Sequence, residues 1–302
     1  MLNITEYLNM KNSGNNISAK FKQGRTMFSV EFFPPKTEDG ARQILRTANK
    51  LKDISPDFVS ITYGAGGSSR ERTLEYGELL REIFNFEVMP HLACYGHSKK
   101  EIYTILKRFE NSGFRNVMAL RGDKPKDNAD LAPHPDGFAH ADELVAFIRE
   151  NFASFGIGCA GYPEKHPEAP DFKTDIQNLK RKVDAGADFI TTQLFFDNAH
   201  YFRFAEECAK VGIDKPIVAG ILPALSFKQV LNFRNMCATD IPQELLNKLE
   251  KVSDASESAK IGLEWAQNQI EELIANNVPA IHLYILNRSE SALKLVSAFS
   301  SR

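Results

Sequence analysis

Residues 28–36 read Phe28-Ser29-Val30-Glu31-Phe32-Phe33-Pro34-Pro35-Lys36. A β-strand turns successive side chains to opposite faces. Phe28, Val30 and Phe32 therefore share one face, and Ser29 and Glu31 share the other. The two prolines end the run, because proline cannot donate to a sheet ladder. Strands are predicted over 27–32, 58–62, 88–92, 117–121, 157–162, 189–194, 217–221 and 280–284. In several of them polar side chains again share a face toward the C-terminal end: Ser60 with Thr62, Arg121 with Asp123, Thr191 with Gln193, and His282 with Tyr284. His91 shares its face with Met89. Helical periodicity fills the intervals, over 41–51, 72–84, 99–112, 141–152, 176–185, 200–211 and 257–276, and 289–299 follows the last strand. The seventh connection is longer and holds an extra helix near 242–252. Strict alternation of strand and helix means a parallel sheet. Eight such units without a linker predict an α/β fold, a single (β/α)8 TIM barrel over 26–302. If the polar faces point inward, they converge at the C-terminal mouth, where barrel enzymes keep their active sites. An open sheet whose strand ends turn polar as they reach solvent is the alternative. Residues 1–25, with Lys11-Asn12-Ser13-Gly14-Asn15-Asn16, read as a loose N-terminal arm.

The bulk composition narrows the class further. Hydrophobic residues are 43% and charged residues 25% of the 302, which suits a globular chain with a large core. A net charge of −2 provides no field for nucleic acid or an anionic membrane. No apolar run reaches the length of a membrane span, and the first residues lack the basic-then-apolar order of a signal peptide. Cys94, Cys159, Cys208 and Cys237 lie far apart with no C-x-x-C pair, and read as reduced thiols of a cytosolic protein.

Four motifs carry chemistry. Glu31 sits inside a strongly apolar strand, so its carboxyl must be paired or stay protonated. Either suits a general acid, toward which the aromatic neighbours tilt the reading, and a structural ion pair, with Arg121 for example, is the alternative. In Leu120-Arg121-Gly122-Asp123, glycine lets the backbone approach a ligand, Arg121 can donate to a phosphate or heterocycle, and Asp123 can accept from one. The glycine-rich run from Thr62 to Arg70 lacks the third glycine of G-x-G-x-x-G and the Gly-Lys-Ser/Thr of a P-loop, so a tight turn is its ordinary reading. Asp175, Asn178, Arg181 and Lys182 share one side of a helix, by default a solvated face. His91, His166 and His282 show no metal spacing, and no metal is expected.

Together these segments resemble the bacterial 5,10-methylenetetrahydrofolate reductases, the flavoproteins of methionine biosynthesis. The matching stretches are 28–36, 59–65, 90–94, 119–123, 160–169, 178–187, 192–197, 220–223 and 286–288, in order and spanning the chain after the arm. The resemblance implies an FAD-binding barrel that takes electrons from NAD(P)H. It passes them to 5,10-methylenetetrahydrofolate by a ping-pong scheme on one flavin face, giving 5-methyltetrahydrofolate. It also implies a cytoplasmic enzyme, and a homo-oligomer is expected.

Carried over by motif, Glu31 resembles the general acid that opens the folate ring, and Asp123 the group beside flavin and pterin. Flavin contacts are implied for Tyr63, Ala65, His91, Arg121, Gly122, Asp123, Ala141, Tyr162 and His166. The set Asp175, Asn178, Arg181 and Lys182 resembles the holder of FAD's ribose and diphosphate, which overturns the solvated-face reading. Gln193 resembles a contact to both NADH and folate, Gln229 and Arg288 folate contacts, and Thr62 an NADH contact. Phe233 aligns with an aromatic that stacks on nicotinamide or folate.

Two departures stand out. Relatives carry Tyr-Ala-x-Asp-Leu-Val where this chain reads His140-Ala141-Asp142-Glu143-Leu144-Val145, so His140 replaces an aromatic near the flavin. The chain also ends soon after the last barrel helix, and inhibition by S-adenosylmethionine through a separate regulatory domain is not expected. A flavin-free pterin-binding methyltransferase and a catalytically idle subunit are the rival readings. The cluster from Asp175 to Lys182 argues against the first, and Glu31, Asp123 and Gln193 against the second.

Overall fold

The computed structural model describes residues 16–64, 70–123 and 133–297. Eight parallel strands close into a barrel in sequence order: β1 (Met27–Phe32), β2 (Phe58–Ile61), β3 (Val88–Ala93), β4 (Asn116–Leu120), β5 (Gly156–Gly161), β6 (Phe189–Thr192), β7 (Ile217–Ile221) and β8 (Ala280–Tyr284). The closing pair aligns Ser29 with His282 and Glu31 with Tyr284. The open-sheet alternative is thereby excluded.

The outer ring holds α2 (Glu38–Leu51), α3 (Arg70–Phe84), α4 (Lys99–Asn111), α5 (Ala141–Asn151), α6 (Phe172–Asp184), α7 (Asn198–Lys210), α10 (Ala255–Ala275) and α11 (Ser289–Ser297), with α1 (Ile17–Lys20) before the barrel. Local sequence sets several of their starts. Thr37, Asp171, Asp197 and Asp254 each accept a backbone N–H from the first turn of the following helix, and Ser98 with Glu101 forms a reciprocal capping box ahead of α4.

Strand parity divides the molecule into two apolar regions. Val30, Phe32, Val59, Ile61, Val88, Leu92, Val117 and Ala119 face the helices. The opposite set (Met27, Phe58, Met89, Met118, Phe189, Val218 and Ala280) packs together inside the barrel. Farther along the same inward faces come Ser29, Ser60, His91, Thr191 and His282, all buried, and then Glu31. The interior is thus apolar at its N-terminal end and polar toward its C-terminal mouth.

Three expectations are corrected. Residues 16–25 do not form a loose arm: Ile17 is fully buried in the inner cluster and its N–H donates to Asn116 Oδ1 at 2.8 Å. An apolar side chain under an otherwise open barrel end removes more surface from water than one left in solution. Arg121 and Asp123 do not sit on the inward face of β4, whose inward parity is that of Met118. They reach the mouth because the strand ends at Leu120 and the chain turns at Gly122, with φ of 87°. The seventh connection holds two extra helices rather than one, α8 (Phe227–Cys237) and α9 (Gln243–Glu250), ahead of α10.

Candidate active site

Glu31 lies at the inward, C-terminal end of β1 and is 7% exposed. Burial pushes its carboxyl up to about 8, so it holds its proton at neutral pH. His91 on β3 stands beside it, with Nε2 3.6 Å from Oε2. Burial pulls His91 down to about 4, and this imidazole is neutral. Below them His282 is wedged between Ser29 Oγ, 2.8 Å from Nδ1, and Ser60 Oγ, 3.3 Å from Nε2. Tyr284 crosses the mouth and donates to the Thr192 carbonyl at 2.7 Å. The tyrosine fits because β7 carries Gly220: a Cβ there would stand 2.8 Å from the ring and 2.4 Å from the Thr192 oxygen.

Over the ends of β2 to β6 opens a cleft of about 410 Å³, within the range of small-molecule sites. Its lining gathers Tyr63, Arg121, Gly122, Asp123, Ala141, Tyr162, His166, Asp175, Asn178, Arg181, Lys182 and Gln193, which the sequence had placed at a cofactor or substrate. Most of them are fixed locally. Arg121 makes a bidentate pair with Glu168 (2.7 Å for one arm), and that partner raises its pKa and keeps it charged. The ion-pair partner of Arg121 is thus Glu168 rather than Glu31, and Asp123 adds only a smaller attraction. Lys182 Nζ donates to the Ala160 carbonyl at 2.5 Å and Arg181 lies 3.4 Å from Asp142. Asp175 accepts the His166 N–H at 2.9 Å, tying α6 to the loop after β5. Tyr63 Oη meets His97 Nε2 at 3.2 Å, and Tyr162 packs edge-on to His166 at 4.6 Å. Gly122 is required by contact as well as by its φ, since a Cβ would lie 2.7 Å from that of Ala93. His140 also lines the cleft, at the start of α5, where Glu143 accepts its N–H.

Other expected residues lie elsewhere at the mouth. His91 is inside the barrel and not among the lining residues of the cleft. Thr62 follows β2, its carbonyl accepting from Thr73 Oγ1 at 2.9 Å. Gln229 is in the first turn of α8, where its Oε1 accepts the Leu225 N–H at 2.8 Å. Phe233, on the same helix, packs against the cluster of Leu194, Phe196, Leu222 and Val230. Arg288 is exposed beyond β8. Ala65 lies outside the described residues. The residues that sequence reading missed are partners of those it found, namely Glu168, Asp142 and His97. Glu168 had a faint signal, as one of two acidic residues, with Glu164, that flank His166 in a segment already singled out.

A polar cleft lined by three cations and four carboxylates, beside a buried protonated carboxyl, can hold a polar ligand and deliver a proton. The methylenetetrahydrofolate reductase family profile matches residues 16–300. The chain is 38% identical over 291 residues to methylenetetrahydrofolate reductase (NADH) 1 of Arabidopsis thaliana, covering 93% of this chain and 49% of that protein. It thus spans about half the length of that plant relative. It is 37% identical over 281 residues to 5,10-methylenetetrahydrofolate reductase of Escherichia coli, covering 93% of each. Among solved structures, an uncharacterized protein from Clostridium thermocellum, described as binding two copies of 5-methyl-5,6,7,8-tetrahydrofolic acid, matches with a TM-score of 0.65. That match covers 94% of this chain and 99% of the other at 12% identity, a likeness of fold alone.

Proposed function

The chain belongs to the methylenetetrahydrofolate reductase family, and from that premise we propose that it reduces 5,10-methylenetetrahydrofolate to 5-methyltetrahydrofolate, with FAD as cofactor and NAD(P)H as electron donor, in the cytoplasm and in the service of methionine synthesis. The observation that carries the reading is Glu31, a carboxyl kept protonated by burial at the same barrel mouth as the cleft.

The cleft residues suit a flavin dinucleotide. Arg121, Arg181 and Lys182 bring positive charge to one cleft, as a diphosphate needs. The turn at Gly122 packs against Ala93 with no room for a side chain, which holds Arg121 and Asp123 at the cleft. The Asn178 amide, which has no hydrogen-bond partner among the described residues, is available to a ribose or phosphate oxygen. The chemistry that bound FAD supplies is hydride transfer in two separate steps, from NAD(P)H and then to the folate, which is the ping-pong order.

The chain's own residues supply proton handling and orientation. Opening the folate's five-membered ring breaks the bond between the bridging carbon and the departing amine nitrogen. The electron pair stays on that nitrogen, Glu31 gives it a proton, and a cationic iminium remains to take hydride. A carboxyl with a pKa near 8 is matched to that task at neutral pH. Asp123, exposed at the cleft rim, offers an anion to the iminium. Gln193 is oriented for substrate because its own Oε1 accepts the Leu194 N–H at 2.9 Å, leaving its amide N–H groups to point elsewhere.

The purified protein is expected to be yellow and to bleach when NADH is added without oxygen. A colourless protein that takes up no added FAD would overturn the flavoenzyme reading and favour a flavin-free folate-binding barrel.

A further inference from the structure

Two buried histidines face the interior near Glu31, and their surroundings differ. His282 has both ring nitrogens engaged, by Ser29 and by Ser60. His91 does not: its Nε2 is buried and has no hydrogen-bond partner among the described residues. A buried polar atom left unpaired is costly, so an orphan of this kind calls for an explanation. The atom toward which Nε2 points is Oε2 of Glu31, 3.6 Å away. The gap exceeds a hydrogen bond by a few tenths of an ångström, and catalytic contacts are often loose until substrate is bound.

We propose that His91 is a positioning residue for Glu31: its neutral imidazole carries its proton on Nε2 and donates to Glu31 Oε2, so that the transferable proton sits on Oε1. One arrangement then serves both states of the acid. While Glu31 is protonated, Oε2 is the carbonyl oxygen and accepts from Nε2, and the O–H is aimed away from His91. Once the proton has gone to the departing amine, the same N–H donates to a carboxylate and the bond strengthens. The imidazole must stay neutral for this to work. A cationic His91 would stabilise the carboxylate so far that Glu31 would lose its proton before substrate arrived, and burial prevents that. The other groups facing this pair are His282 and Tyr284. His282 is neutral, pulled down to about 3 by burial and by His91, and Tyr284 is held uncharged by burial, so neither competes as a charge.

The role rests on reading Glu31 as the proton donor, and the test separates the two. Infrared titration of the Glu31 carboxyl, identified by its absence in Glu31→Gln, needs no turnover. In His91→Leu the carboxylate loses its donor, so the carboxyl should titrate about one pH unit or more higher than in wild type. His91→Gln restores an N–H and should bring the titration back most of the way. Folate reduction in single turnover should fall roughly 10- to 100-fold in His91→Leu, the worth of a hydrogen bond to a charged group, with its alkaline limb moved upward. In the wild-type protein, nitrogen-15 spectra of the histidines should place the His91 proton on Nε2, a readout that needs no variant to fold. A titration unmoved in His91→Leu, a Gln variant no different from Leu, or a proton on Nδ1 would overturn the proposal. A shifted titration in a protein that reduces no folate would keep the pairing and remove the proposed function instead.

Discussion

Glu31, His91 and His282 are three ionisable groups held neutral in one interior, and each has a consequence for stability. The folded chain keeps the Glu31 proton up to about pH 8, whereas the unfolded chain gives it up near 4.5. The stability linked to that proton is fully present below 4.5 and is lost as pH rises toward 8. Glu31→Gln keeps the shape without the titration. In thermal unfolding it should gain on wild type between about pH 5 and 8, by up to a few kcal/mol. The histidines act in the opposite sense. Their folded values of about 4 and 3 lie below the ordinary 6.5, so their contribution is present above 6.5 and is lost as pH falls through the acid range. The same Glu31→Gln variant should slow single-turnover folate reduction by about 10²–10⁴, the usual worth of a general acid. Flavin reduction by NADH needs no proton from the enzyme and should stay within several-fold; equal losses in stopped-flow traces would make Glu31 structural. Glu31 was legible because parity alone set a carboxylate on the polar face of an apolar strand. Its pairing with His91 was not, since which side chains meet across a barrel interior depends on register and strand tilt, and sequence carries neither.

At the scale of elements, the seventh connection shows where sequence reading stopped short. The helix α8 bears Gln229 and Phe233, and its start is a capping arrangement in which Ser226 Oγ accepts the Gln229 N–H at 3.2 Å. The Ser-x-x-Gln signature was there in the chain. It was obscured because α8 buries only Val230 completely, so its apolar periodicity is weak. Strand β4 misled for another reason: parity holds only while the strand lasts, and Gly122 breaks it just before Asp123. The position of α8 depends on a contact from α10. Gly262 packs against the loop that leads into α8, and a Cβ there would lie 1.7 Å from the Ala224 carbonyl oxygen. Backbone cannot rotate away as a side chain can, so Gly262→Ala must push α10 and that loop apart. Overpacking of this sort costs about 1–3 kcal/mol, and the better helix propensity of alanine returns up to about 1. A lower midpoint in urea is expected, together with a raised KM for folate. Unchanged values of both would show that the loop yields freely and does not set α8.

For the whole molecule, the barrel separates the inner apolar cluster from the groups proposed to do chemistry. Its inner cluster at the N-terminal end holds methionines, phenylalanines and Ile17, while the acid, the histidines and the cleft occupy the other end. The eight-fold alternation and the polar mouth were legible in the sequence because both follow from local patterning. The place of Ile17 under the barrel was not legible: a lone apolar side chain in a polar segment carries no period, and the cluster it joins draws on seven strands. Ile17 shares one buried cluster with Met27, Phe58, Met89, Met118, Phe189, Val218 and Ala280 at the barrel floor, and the Asn116 side chain that takes its N–H is itself held by Glu87 at 2.8 Å. Removing most of that side chain leaves a cavity that strands fixed in a closed ladder cannot collapse to fill. Ile17→Ala should therefore cost roughly 2–5 kcal/mol, at the upper end of what a cavity in a rigid site costs. Because the change is made at the end of the barrel opposite the mouth, KM for NADH and for folate should match wild type at temperatures where the variant is folded. Thermal unfolding followed by circular dichroism, with kinetics on the same preparation, checks both halves. A variant that melts like wild type would return residues 16–25 to the status of an arm, and one that stays folded but shifts either KM would show the floor and the mouth to be mechanically coupled.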